Sequence, residues 1–439
     1  MFQAGFARVD VTPPLGSPLA GYFTDRWAEG VLDPLELNAV AFSDGENRAV
    51  LITADFLYVM ENAATEIREL IAEKCALPLD HVCIQGLHQH TSIRVGTRPH
   101  LRGNMGIADK AYLDVLYRKY CDVTKMALDD LKDASLSLAE RETDPQISFI
   151  RRYKMKDGST RTNPGKKALD EVVGPIGEPD NTVRLIRIRR EAGDDIGLVN
   201  FSCHADTVGG SKISADWPGF VRRNLENAMP NMRCVVLGGA EGDTNQIDLF
   251  ATDGVKRKGY EFCSYFGKVI SDTALSLWDQ AKPVESGRVW GKVEMKYIPT
   301  NTNGIEKVEE AIQYRRDVQA GLKEDPKEMG ARANLWRISA LQSELLFQKV
   351  PVSVLGIGSV AFVGFGGEPF TQYATAAREA GKGLYVITLC LANGGQGYLP
   401  TVEAFAEGGY EAASSRFDAS VAPTLQDCAA SLLAKYRAL

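Results

Sequence analysis

The sequence is poor in histidine, with five in 439 residues, and no two of its eight cysteines form a C-x-x-C pair. That pattern excludes a paired-thiol zinc knuckle. Cys75, Cys83, Cys121, Cys203, Cys234, Cys263, Cys390 and Cys428 are scattered through mostly apolar stretches and read as reduced core thiols. Long apolar runs are also missing. The most apolar uncharged stretch, 350–367, falls short of the about 20 residues a spanning helix needs, and glycines and a serine break it. It reads as two buried strands joined by a tight turn around Gly356 to Gly358. The opening MFQAGFARVDVTPP has no basic region followed by an apolar one. The expected location is therefore cytoplasmic, or secreted or periplasmic if a signal has been removed. No linker-like tract, charge block or repeat divides the chain, so residues 1–439 are expected to form a single domain. The net charge of −7, with signs interspersed, gives no reason to expect nucleic acid or stable membrane association. A small-molecule partner fits better, and the oligomeric state stays open.

What is present is a core and an alternating pattern. Hydrophobic residues make up 44% of the chain, enough to bury a substantial interior. Short β-branched runs alternate with longer helical patterns, the signature of an α/β fold, here mixed sheets covered by helices. Strands are expected at 37–42, 49–54, 81–85, 183–188, 197–202, 233–237, 288–298, 351–356, 360–365 and 385–390. Helices are expected at 62–75, 110–131, 218–228, 259–278, 370–380 and 423–438, and over 305–348 with a break near Pro326. Active sites of α/β folds gather where loops leave the carboxyl ends of strands. The unusual polar residues fall in those places: His88 and His90 after the strand ending at Gln85, then His204, Asp243 and Glu368 after three others.

Three of the histidines lie in two such segments, GLHQHTS at 86–92 and NFSCHADTV at 200–208. In extended backbone, side chains two apart share a face, so His88 and His90 can address one site. Zinc favours imidazole nitrogen completed by a carboxylate, and a hydrolytic site keeps a position for water. The plainer alternative is a histidine bonded to nearby backbone. Glu368 follows a glycine-rich apolar strand, where a carboxylate is costly to bury without a partner. Its partner is either a metal or the first-turn amides of the helix starting near Pro369, and the two roles are compatible. Tyr398 and Tyr410 sit on glycine-rich loops, as metal or oxyanion partners or as packed anchors.

Taken together, these segments resemble the N-terminal catalytic domain of the neutral ceramidase family. GFARVDVTPPLG is similar to the family's opening, and Thr53-Ala54-Asp55 to its Ser-Ala-Asp. GLHQHTS resembles Gly-Thr-His-Thr-His-Ser, and NFSCHADTV the second histidine segment. SADWPGF follows with Asp216 and Gly219 matching, GGEPFTQ resembles Gly-Glu-Phe-Thr, and GYLPT and GGYEAAS resemble two late tyrosine segments. The blocks are collinear over nearly the whole chain. The likeness implies zinc ligands at His88, His204, Glu368 and Tyr398, with His90 and Tyr410 beside the ion. It also implies an arginine near the scissile carbonyl, Arg151 or else Arg152. Where the family carries a serine in Gly-Asp-Val-Ser-Pro-Asn, this chain has Gly242-Asp243-Thr244-Asn245-Gln246. Thr244 is the candidate to stand in for it, or the role is lost. The C-terminal β-sandwich of larger members is not matched, so a substrate smaller and more polar than ceramide is expected.

The implied reaction is hydrolysis of an amide (N-acyl) bond by metal-activated water. His90 would move a proton to the leaving group, Tyr410 and Arg151 would stabilise the oxyanion, and Asp55 or Asp243 would orient a ligand histidine. Two rivals stand beside this: an esterase or lactonase on the same site, and a non-catalytic ligand-binding homologue. Lys154, Lys156, Arg161, Lys166 and Lys167 suit either an anionic substrate or a solvated loop.

Overall fold

The computed structural model of the chain describes residues 1–96 and 107–439. A large mixed sheet is built from β1 (Gln3–Asp10), β2 (Glu36–Ser43), β3 (Arg48–Ala54), β4 (Val82–Gly86), β5 (Lys132–Glu142), β6 (Thr182–Arg190), β7 (Asp195–Phe201) and β8 (Met232–Gly238). Their order is β8-β7-β6-β5-β1-β2-β3-β4, with Lys282–Val284 paired on β5. A second sheet carries β9 (Val289–Pro299), β10 (Phe347–Ile357), β11 (Val360–Phe365) and β12 (Tyr385–Leu389) in sequential order. Most pairings are antiparallel. The parallel ones are β3 with β4, β7 with β8, and β11 with β12. A parallel pair needs a crossover, and each receives a helix: α1 (Glu61–Cys75) between β3 and β4, α2 (Asp216–Ala228) between β7 and β8, and α3 (Thr371–Ala380) between β11 and β12.

The two sheets pack face to face. Val40, Phe42, Leu51, Leu198 and Leu237 of the large sheet meet Leu355, Phe362, Ile387 and Leu389 of the small one in one buried cluster. Helices cover both outer faces, Ala63, Ile67 and Ile71 of α1 on one side and Tyr373 and Ala377 of α3 on the other. Near the carboxyl ends of the parallel pairs the sheets are tied directly, by a bridge between Gln85 and Ala392 and by Cys390 N–H donating to Gly238 O. Strand ends from both sheets therefore converge on one point. All eight cysteines are unpaired.

Two expectations about elements need correcting. The helix expected over 305–348 is two shorter helices, Val308–Gln319 and Met329–Ala340, and its last part is the start of β10. Lys349 and Val350 pair with Tyr297 and Lys296, and this ladder overrides the helical appearance of the preceding residues. Strand β5 was not expected, because KDASLSLAERE is rich in charge and alanine. Its order comes from pairing with β6 along nine residues. The tight turn expected between β10 and β11 is present, with Gly358 at φ 56°, a conformation L side chains rarely adopt. Among the described residues no helix is long and apolar enough to cross a membrane.

Candidate metal centre

Each parallel pair delivers a polar side chain just past its strand ends. His88 follows β4, His204 follows β7, and Glu368 follows β11. One ring nitrogen from each of His88, His90 and His204 lies within 4.8 Å of the other two, and all three residues are buried. Glu368 Oε2 is 3.4 Å from His88 Nε2 and 3.4 Å from His204 Nε2. Tyr398 is set beside Glu368 by a short parallel pairing in which Glu368 faces Tyr398 and Pro369 faces Leu399. The Tyr398 ring stacks on His204 at 6.2 Å and meets Tyr410 edge-on at 5.4 Å.

The histidines are oriented by backbone. His88 Nδ1 is bonded to Leu57 O at 3.1 Å, and His204 Nδ1 to Glu241 O at 2.7 Å. An N–H donated from Nδ1 leaves the Nε2 lone pair directed at the cluster, the tautomer a metal requires. Neither Asp55 nor Asp243 performs this task, contrary to expectation. Asp55 is saturated by Arg222, Gln89 and the Glu36 amide, and Asp243 accepts from the Thr371 amide and hydroxyl. Both carboxylates are consumed fixing loops. His90 differs from the other two: its Nδ1 has no hydrogen-bond partner, and Asp206 Oδ1 stands 3.9 Å away.

The reason first given for pairing His88 with His90 also changes. Their segment is not extended, since His88 has φ 64°, uncommon outside glycine. The chain turns there, held by His88 N–H donating to Phe56 O and His90 N–H to Ala205 O. The rings nevertheless meet, with Nε2 atoms 3.3 Å apart. Gly21, at φ 100°, lies against His90, and an added Cβ would sit 2.7 Å from its Nδ1.

The electrostatics of the cluster favour a cation. Burial alone would raise the Glu368 carboxyl, but His88 and His204 hold it well below the usual carboxylate range. Burial also opposes charge on His88, yet Glu368 outweighs it and lifts the imidazole to about 9. His204 is pushed down to about 3 by burial, with Arg151 adding to the effect, and His90 is driven well below its ordinary value by burial and its two neighbours. His204 Nε2 and Glu368 Oε2 are enclosed without a hydrogen-bond partner. Buried polar atoms of native proteins are nearly always satisfied, and two orphaned donors to metal facing each other fit a divalent ion.

The remaining expected residues divide by position. Arg151 lies over the Tyr398 ring at 5.1 Å and is gripped by Glu411 Oε1 at 2.8 Å and Gly242 O at 3.0 Å. Arg152 instead reaches Gly408 O and Glu407 and stacks on Phe370, so of the two only Arg151 faces the cluster. The Thr244 hydroxyl is 3.5 Å from Glu241 O, the carbonyl that also holds His204. Lys154, Lys156, Lys166 and Lys167 are exposed, and Arg161 pairs with Asp157 and Glu171, the pattern of a solvated face. Sequence reasoning missed Glu241. It is fully buried next to the cluster, and desolvation raises its carboxyl to about 7. Its position in GGAEGD, at the same strand exit as Asp243, was the available signal.

No protein family model matches the sequence. Solved structures do resemble the fold. A neutral ceramidase from Pseudomonas aeruginosa superposes with a TM-score of 0.73 at 14% identity, over 99% of this chain and 74% of that one. A ceramidase complexed with C2 superposes with a TM-score of 0.72 at 13% identity, over 99% of this chain and 75% of that one. The two sheets and their helical covers are thus arranged as in these neutral ceramidases, and this chain has the neutral ceramidase fold.

Proposed function

We propose that this protein is a zinc-dependent hydrolase that cleaves an amide (N-acyl) bond in a substrate smaller and more polar than ceramide. The observation that carries this reading is the pair of orphaned buried atoms, His204 Nε2 and Glu368 Oε2, within an oxygen and nitrogen donor set built on a ceramidase fold. His88, His204, Glu368 and Tyr398 would hold the ion. When bound, zinc supplies Lewis acidity toward water and a carbonyl oxygen at neutral pH.

The other steps belong to the chain's own residues. His90 is not tied through Nδ1, so that nitrogen is available to take a proton and pass it to the leaving nitrogen. Burial works against the charge of Arg151, but Tyr398 and Glu411 beside it keep it protonated. With the Tyr410 hydroxyl, it would meet negative charge developing on the carbonyl oxygen. Thr244 shares Glu241 O with His204 and acts as a positioning residue.

The experiment is metal analysis followed by hydrolysis assays on N-acyl, ester and lactone substrates. One zinc per chain and a preference for amides are expected. Stoichiometric zinc with turnover of esters or lactones alone would replace the proposed bond, and a protein that takes up no zinc would contradict the site. Two variants separate the roles within it. His90→Ala is expected to retain zinc and lose at least about a hundredfold in kcat, in the range for general acid–base groups. Loss of zinc from that variant would make His90 a ligand instead. Gly21→Ala should force the His90 ring aside and lower kcat at least about tenfold with zinc retained, measured alongside metal content. Unchanged kcat would show that the ring is not held in place by that contact.

A further inference from the structure

A polar cavity lies apart from the metal centre. It measures about 480 Å³ and opens between the end of β5, the segment 177–181 that leads into β6, and the first turns of α3. That volume is within the range of small-molecule sites. None of the candidate metal ligands lines it. Thr371 does, but its amide and hydroxyl are already given to Asp243. The charged side chains, rather than the helix end, therefore decide what the cavity can hold.

The deeper wall is cationic. Arg184, which is 7% exposed, and the half-buried Arg378 both bind Asp180 Oδ2, at 3.0 Å and 3.2 Å. One carboxylate thus serves two guanidiniums. Burial, and then the neighbouring Arg184 charge, push the Arg378 guanidinium below its ordinary range, as crowding of like charges requires. Arg184 Nε is 3.4 Å from Glu140, and Arg378 Nη2 donates to Thr375 Oγ1 at 3.3 Å. Arg184 Nη1 and Arg378 Nε make no hydrogen bond among the described residues. The rim is anionic. Glu142 and Glu178 line the cavity and are exposed, and among the described residues their carboxylates form no ion pair or hydrogen bond.

Charge of one sign cannot satisfy wall and rim together. A simple anion drawn to the arginines would meet Glu142 and Glu178 uncompensated, and a simple cation would meet the guanidiniums. A molecule that carries both signs pairs with each. We propose that this cavity binds a small zwitterion of amino-acid size, with its carboxylate on Arg184 and Arg378 and its ammonium toward Glu142 and Glu178. Guanidinium N–H groups favour a carboxylate through charge-assisted hydrogen bonds, and the unspent nitrogens supply them. The site needs neither the metal nor turnover.

The test is isothermal titration of the full chain with L-threonine and two analogues. One is 3-hydroxybutanoate, which lacks the ammonium, and the other is 1-amino-2-propanol, which lacks the carboxylate. None of the three has an amide bond, so hydrolysis cannot intrude. Threonine should bind with a Kd below about 1 mM, and each analogue at least about tenfold more weakly. Arg378→Gln, and Glu142→Gln combined with Glu178→Gln, should each weaken threonine at least about fivefold. Both variants should fold, because Arg184 still holds Asp180 and the two glutamates have no partner to lose; circular dichroism checks this. No threonine binding at about tenfold above that Kd would overturn the proposal. So would an analogue that binds as tightly as threonine. Affinity unchanged in either variant would place the ligand elsewhere, such as on the metal, and would equally overturn it.

Discussion

Replacing His88 and His204 together by alanine is expected to leave the protein without stoichiometric zinc and to lower amide hydrolysis at least about a thousandfold, more than the loss of one orienting group. The magnitude follows from what remains. Without the two imidazoles, Glu368 is a buried carboxylate that has lost its ion pairs at 3.4 Å to His88 and His204. Desolvation then favours its protonated form, and a neutral acid is a poor ligand. The global fold should survive, because neither histidine contributes to the apolar clusters on either side of the sheets. Metal analysis and circular dichroism on the same sample check both halves of this expectation. Zinc retained at one per chain would sink the ligand assignment.

The second large effect concerns stability. Arg222 is buried on α2 and grips Asp55 through both terminal nitrogens, one of them at 3.0 Å, while its Nε is 3.1 Å from Glu36. Asp55 in turn accepts from Gln89, the residue between His88 and His90. Arg222→Met keeps much of the volume but leaves Asp55 as an uncompensated charge in the interior. Breaking a buried pair in this way costs about 3–5 kcal/mol. The urea midpoint should fall accordingly, and zinc affinity should weaken because Asp55, which accepts from Gln89, is no longer held in place by Arg222. Adding Asp55→Asn should restore part of the stability, since the orphaned charge is then gone. A loss below about 1 kcal/mol would show that the pair behaves like an exposed one.

The sequence made the strand exits visible for a simple reason. Histidine is scarce, and a scarce ligand type after a buried strand stands out from the apolar background. The β-α-β units were legible because their strands are rich in valine and isoleucine and their helices amphipathic. Strand β5 was not, since its charged and alanine residues have little strand preference and its order comes from β6. The register that sets Glu368 beside Tyr398 depends on two-residue strands, too short to leave a periodic trace. Glu241 was overlooked for another reason. Its importance lies partly in its backbone carbonyl, which holds His204, and a carbonyl carries no sequence signature. The turn at His88 was hidden too, because a positive φ at a histidine is imposed by the bonds its neighbours make.

The orienting role of Leu57 O and Glu241 O explains how a weakly patterned sequence can still specify a ligand geometry. Tautomer and ring direction are set by main-chain atoms whose positions follow from the sheets, so the side chains around them are free to vary. The charged groups that looked like orienters, Asp55 and Asp243, stabilise the loops one layer further out.

The most direct test of the metal centre is a crystal structure of the zinc-soaked protein with anomalous data collected on either side of the zinc absorption edge. One peak bonded to His88 Nε2, His204 Nε2 and a Glu368 oxygen, with the Tyr398 hydroxyl completing the set, is the predicted result. A peak at other residues, or no peak in crystals soaked to saturation, would contradict it.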